Sequence, residues 1–254
     1  MRTLISVLLA FIATFISYRY NLIFNLDLTL ISVAVVFPLV FTLGSAFQRR
    51  EKALEHLGRA KGALSAIKYC FSFANKVEES EKEKVYLEVD QVKEELIALL
   101  YAKSNSKEKL NLSVSKIQEF IDLHRETIGR SLSLRVYRLM RDVIMGIENS
   151  FAIKAHRTPH SIRAYCKLFI YVFPFFYAPT LIKNVQFQDV SVQELADIGT
   201  IVSLDNHLVW IVYGLNMIIS FFLITLFNIQ EQIENPFDQE GLDDIILDNY
   251  LLDK

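Results

Sequence analysis

Hydrophobic positions along the chain fall into two regimes. Four stretches are apolar on every side: Thr3–Tyr18, Leu28–Gln48, Ala164–Ile182 and His207–Gln230. A helix needs about 20 such residues to cross the hydrocarbon core of a bilayer. Leu28–Gln48 and His207–Gln230 contain no Asp, Glu, Lys or Arg. Ala164–Ile182 holds one charge, Lys167, near its start, where a long side chain can reach the interface; Pro174 and Pro179 also lie within it, as membrane helices tolerate. The first stretch begins MRTLISVLLAFIATF, a basic start and an apolar run that a secretory signal also has. Only about ten residues then separate it from the second stretch, and a helical hairpin fits that spacing better.

Between the second and third stretches the pattern becomes amphipathic. Leu54, Leu57, Ala60, Leu64 and Ile67 recur at three- and four-residue spacing, predicting a helix that prolongs the second span. In SEKEKVYLEVDQVKEELIALLYA, Val85, Leu87, Val92, Leu96 and Leu99 or Leu100 are assigned to the inner side. KSNSKEKLN reads as a polar turn, and two further helices are predicted over LSVSKIQEFIDLHRETIGRS and LRVYRLMRDVIMGIENSFAIKA. Residues 49–162 are thus expected to be helical, followed by spans three and four and an acidic C-terminal segment, 231–254.

Composition supports a membrane protein with a sizeable polar part. The 254 residues are 52% hydrophobic, with a mean hydropathy of +0.28. Formal net charge is −2, which gives no basic field for a nucleic-acid partner. About 21 of the 27 Lys and Arg lie in Gln48–Ile162, so this region and both termini are expected on the cytoplasmic side. The two cysteines, Cys70 and Cys166, read as packing thiols. His156 and His160 are four apart, but Pro159 breaks the helix that would align them. There is no glycine-rich phosphate loop, Ser-His-Asp set or zinc spacing, and an enzyme is not expected. Four helices cannot enclose a wide pathway, whereas a ring of identical copies can.

Three patches carry a resemblance. The second span reads VVFPLVFTLGSAFQRR: Pro38 bends it, Phe37 and Phe41 share a face that Ser45 continues, and Gly44 permits a close neighbour. The fourth span leads into EQIENPFDQEGLDDIILD, an acidic strip with an Asn-Pro-Phe. HRTPHSIRAYCKLFIYVFPF opens the third. These patches, with the four-span order, resemble the bestrophin family, the last strip being most similar to its bacterial members. The resemblance implies an all-α membrane protein, four transmembrane helices per subunit with a cytoplasmic helical region, assembled as a homopentamer around one axial pore in a bacterial inner membrane. It implies a neck at Phe37, Phe41 and Ser45 and a cytoplasmic aperture at Thr158, with Pro38 and Gly44 setting the helix bend and packing. Arg49 and Arg50 would place charge at the pore mouth. A calcium clasp would use backbone oxygens of Gln232 and Asn235 and carboxylates of Glu240 and Asp243.

The function so implied is passage of small monovalent ions, chloride or other anions, with cation selectivity as the alternative. A reading from another class also stands: a membrane-anchored interaction protein working through its cytoplasmic helices. The acidic strip itself is expected to pack against a neighbouring subunit near the membrane, with its acids either solvated or paired to arginine.

Overall fold

The computed structural model describes residues 1–101, 107–156, 159–186, 206–239, 241 and 243–252. Among these there are helices and connecting turns but no strand. The helices are α1 (Arg2–Arg19), α2 (Leu28–Ser72), α3 (Glu79–Leu100), α4 (Lys107–Leu123), α5 (Arg125–Ile128), α6 (Arg130–Ala155), α7 (His160–Gln186), α8 (Asn206–Glu234) and α9 (Leu247–Leu252). The chain divides into two compact units, one of Met1–Ser45 with Thr158–Glu231, the other of Ala46–Arg157 with Gln232–Lys254. The four apolar stretches lie in α1, α2, α7 and α8, each long and apolar enough to cross a membrane.

In the apolar unit, α1 turns into α2 through Asn21, whose φ of 48° suits a short polar side chain. Small residues form the buried face of α1: Ser6, Ala10, Ala13, Thr14 and Ser17. Small side chains let helix backbones approach closely, which drives association where no water is expelled. Thr14 and Ser17 donate to the carbonyls of Ala10 and Ala13, so neither hydroxyl is stranded in the apolar interior. Asn216 of α8 is fully buried and donates to the Ala10 carbonyl at 3.1 Å and to Thr14 Oγ1 at 2.8 Å. Asn228 donates to Thr3 Oγ1 at 3.2 Å, and Arg2 pairs with Glu231. Helices α1 and α8 are therefore antiparallel along their length. A second cluster joins Val35 and Leu39 of α2 to Cys166, Ile170 and Phe173 of α7 and to Leu223, Ile224 and Phe227 of α8.

The other unit is built around the later half of α2. Leu57, Ala60, Leu64 and Ile67 are buried as the periodicity predicts. Along α3 the inner face is Val85, Val89, Val92, Leu96, Leu99 and Leu100, whereas Leu87 is 70% exposed. Leu87 lies two residues from both Val85 and Val89, which on a helix puts it on the far side. Part of the expected polar turn is helical: α4 starts at Lys107, and 102–106 lie outside the described residues. The segment expected as one helix over 112–131 breaks at His124 and again at Gly129, whose φ of +82° only glycine adopts without strain. At Gly146, α6 comes so near α2 that an added Cβ would sit 2.7 Å from the His56 carbonyl oxygen.

The acidic strip is not simply a solvated tail. Phe237, Ile245, Leu247 and Leu251 are buried in this chain's own core beside α2 and α3. The Leu247 amide donates to the Tyr101 hydroxyl at 2.8 Å, and Lys61 lies 5.3 Å from the centre of the Tyr250 ring. The alternating apolar residues fold the strip back, with Asp238 and Asp243 exposed while Glu234 is buried.

Candidate functional site

The residues singled out on α2 follow its helical repeat. Val35, Leu39, Thr42 and Ala46 are buried, and Phe37, Phe41, Gly44 and Ser45 are exposed on the single chain. Phe37 is 59% and Phe41 62% exposed, their rings edge to face with centroids 4.4 Å apart. Such a pair gains the attraction of the ring quadrupoles while leaving one broad apolar surface. An added Cβ at Gly44 would meet nothing within 4 Å, so among the described residues no helix packs closely against it. Val33, Val36, Val40 and Phe47 are also exposed, which extends the apolar face of this stretch. Pro38 sits inside α2 without interrupting it.

Arg49 and Arg50 make contacts that spacing does not reveal. The Arg49 guanidinium donates to the Ile153 carbonyl at 2.7 Å and to the His156 carbonyl, at the C-terminal end of α6. Unsatisfied carbonyls gather at a helix C-terminus and carry partial negative charge, so an arginine there is stabilising. Arg50 Nε donates to the Asp243 carbonyl at 2.7 Å, and its Nη1 lies 3.0 Å from Glu51. Both cations tie segments of their own unit together. Local pattern can show a basic pair after a span, but not the carbonyls it will meet some hundred or more residues later.

In the strip after α8, Gln232 and Asp243 are exposed. Asn235 Nδ2 donates to Asp238 at 2.8 Å, and the Gly241 amide donates to Asp244 at 3.1 Å. The carboxyl group of Asp244 is raised to about 6, by burial first and then by its hydrogen bond to Asp238 and the charge there; the amides of Gly241 and Gln239 oppose the rise. Asp238 and Asp244 are therefore the carboxyl groups that this turn brings together, and the sequence reading passed over both. Among the described residues no three His, Cys, Asp or Glu side chains gather as a metal cluster. Glu240 and Thr158 lie outside the described residues. The Asp243 carbonyl is engaged by Arg50, and its side chain lies in solvent.

No sequence-family model and no curated relative matches the chain. Solved structures do. A bacterial Bestrophin homolog from Klebsiella pneumoniae superposes with a TM-score of 0.78 at 15% identity, covering 99% of this chain and 96% of that one. A single-substitution variant of a Klebsiella pneumoniae homolog gives 0.81 at 13% identity, covering 99% and 93%. A structure described as a membrane protein gives 0.80 at 14% identity, covering 99% and 94%. At such low identity the likeness lies in the backbone and the order of helices, and on that ground the chain has the bestrophin fold.

Proposed function

We propose that this chain is the subunit of a homopentameric membrane channel for small monovalent ions, anions such as chloride foremost. The observation that carries the reading is the face of α2 that bears Phe37 and Phe41: two large apolar side chains more than half exposed on a helix whose opposite face is packed. Around a symmetry axis, rings of these side chains make a hydrophobic constriction that opposes hydration of the pore. Phenyl edges carry partial positive charge and can face a passing anion. Ser45, one turn on, would leave the inner end of the neck wider and wetter, and Thr158 would form a polar aperture. Arg49 donates to the Ile153 carbonyl, and Arg50 donates to the Asp243 carbonyl and pairs with Glu51, so their part in anion attraction is a long-range field rather than direct ion contact. The bestrophin fold and the four apolar helices support a membrane location, taken here as the bacterial inner membrane, and the Lys and Arg gathered in 48–162 support a cytoplasmic side for both termini.

The test is Phe41→Ala in protein reconstituted into planar bilayers. The expected result is a conductance raised at least several-fold, with reversal potentials in a chloride gradient reporting the sign of the permeant ion. Unchanged conductance overturns the neck; cation-directed reversal overturns the anion assignment; a protein monomeric at every concentration overturns the ring.

One observation favours the second reading. Phe73 and Leu123 of the polar unit, two large apolar side chains, are 80% and 81% exposed. That reading, an interaction protein acting through its cytoplasmic helices, requires that purified protein pass no ions.

A further inference from the structure

Pro38 has no amide proton, so the Ala34 carbonyl four residues earlier loses its helical donor. In hydrocarbon no water is at hand to replace it, and a stranded carbonyl there is costly. Tyr165 of α7 supplies a substitute. Its hydroxyl donates to Ala34 O at 3.4 Å across the α2–α7 interface. The Tyr165 ring lies against Phe169, one turn along α7, with centroids 4.4 Å apart, which limits where the hydroxyl can go. Below it, Cys166 and Ile170 pack against Val35 and Leu39, so the same stretch of α7 grips α2 on both sides of the proline.

We propose that Tyr165 is a positioning residue for the proline turn of α2: its hydroxyl stands in for the missing amide proton and fixes the turn that carries Phe37 and Phe41. The hydrogen bond is independent of any function; the consequence for ion flow rests on the channel reading above. A proline bend with an open carbonyl can vary in angle, and one held by a donor from the neighbouring helix has a single preferred angle. Tyr165 would thereby link the third span to the aim of the phenyl side chains.

The experiment is a double-mutant cycle of Tyr165→Phe and Pro38→Ala, read by thermal unfolding and by bilayer conductance. In the native background Tyr165→Phe is expected to lower Tm by about 2 °C, the scale of one hydrogen bond between membrane helices. In the Pro38→Ala background the residue 38 amide serves the Ala34 carbonyl, so the same change should leave Tm where it was. Conductance should follow the same pattern, at least a two-fold change in the native background and none in the other. Equal Tm losses in both backgrounds overturn the hydrogen bond. Coupling in Tm with an active channel whose conductance Tyr165→Phe does not alter overturns the positioning role. Coupling in Tm with no flux from any of the four proteins upholds the bond and overturns the channel reading instead. Should Pro38→Ala fail to fold, infrared spectra of an isotope-labelled Ala34 carbonyl decide: its band should rise in frequency in Tyr165→Phe, and an unmoved band overturns the proposal.

Discussion

Replacing Gly146 with alanine adds one methyl group where α6 crosses α2. The new Cβ would lie 2.7 Å from the His56 carbonyl oxygen, 2.8 Å from Ala60 Cβ and 3.1 Å from the Ala60 nitrogen. Two of these atoms are backbone, so no rotamer change relieves the overlap and the helices must separate. Overpacking of this kind costs about 1–3 kcal/mol. Alanine in place of a helical glycine returns about 1 kcal/mol through backbone entropy. With a backbone wall the balance should be a net loss of up to about 2 kcal/mol, or up to about 6 °C in Tm for a chain of this size. Gly62→Ala is the internal control: it lies in α2, an added Cβ meets nothing within 4 Å, and it should gain stability by up to about 1 kcal/mol. Circular dichroism or scanning fluorimetry on detergent-solubilised protein measures both. If Gly146→Ala matches Gly62→Ala, or raises Tm, the close approach of α6 to α2 is wrong.

Three other outcomes are expected. Leu251→Ala, at a fully buried site on α9, should cost about 2–4 kcal/mol in thermal unfolding, showing that the C-terminal helix is core and not tail. Asp244 has a folded pKa raised from 3.8 to about 6, so it holds its proton more tightly when folded. Its contribution is full below about pH 4, falls as pH rises through 6 and is flat beyond; Asp244→Asn should remove that slope from a Tm–pH profile. Asn216→Leu should lower stability by about 1 kcal/mol or less, because the two lost hydrogen bonds are partly offset by relief of a buried acceptor, Asn216 Oδ1, that has no partner among the described residues.

The four spans were legible because hydrocarbon demands long uncharged runs, and Leu28–Gln48 and His207–Gln230 meet that demand without exception. Leu57, Ala60, Leu64 and Ile67 were legible because one helix face alone decides them. The error at Leu87 came from counting apolar residues in a helix without holding to its repeat, and Val89 was the residue that fitted. Gly129 carried a signal within the segment read as one helix, since glycine there invites a break. What stayed hidden depends on distant partners. That Arg49 reaches the α6 carbonyls, or Tyr165 reaches Ala34, follows from tertiary placement. The burial of the strip was half visible: Leu247 and Leu251 are four apart, a helical pair amid acids, yet nothing local says which core receives them. At the phenyl pair, spacing gave the shared face, and the single chain leaves it uncovered.

The seam between the first and last spans has a consequence for biogenesis. Thr14 meets its amide donor on Asn216 only after 202 more residues have been synthesised. Until then the serine- and threonine-bearing side of the N-terminal helix waits in the bilayer without its final cover. A chain that stops short of the last span therefore leaves the Thr14 hydroxyl oxygen and the Ala10 carbonyl without the amide donor that ties the first helix to the last.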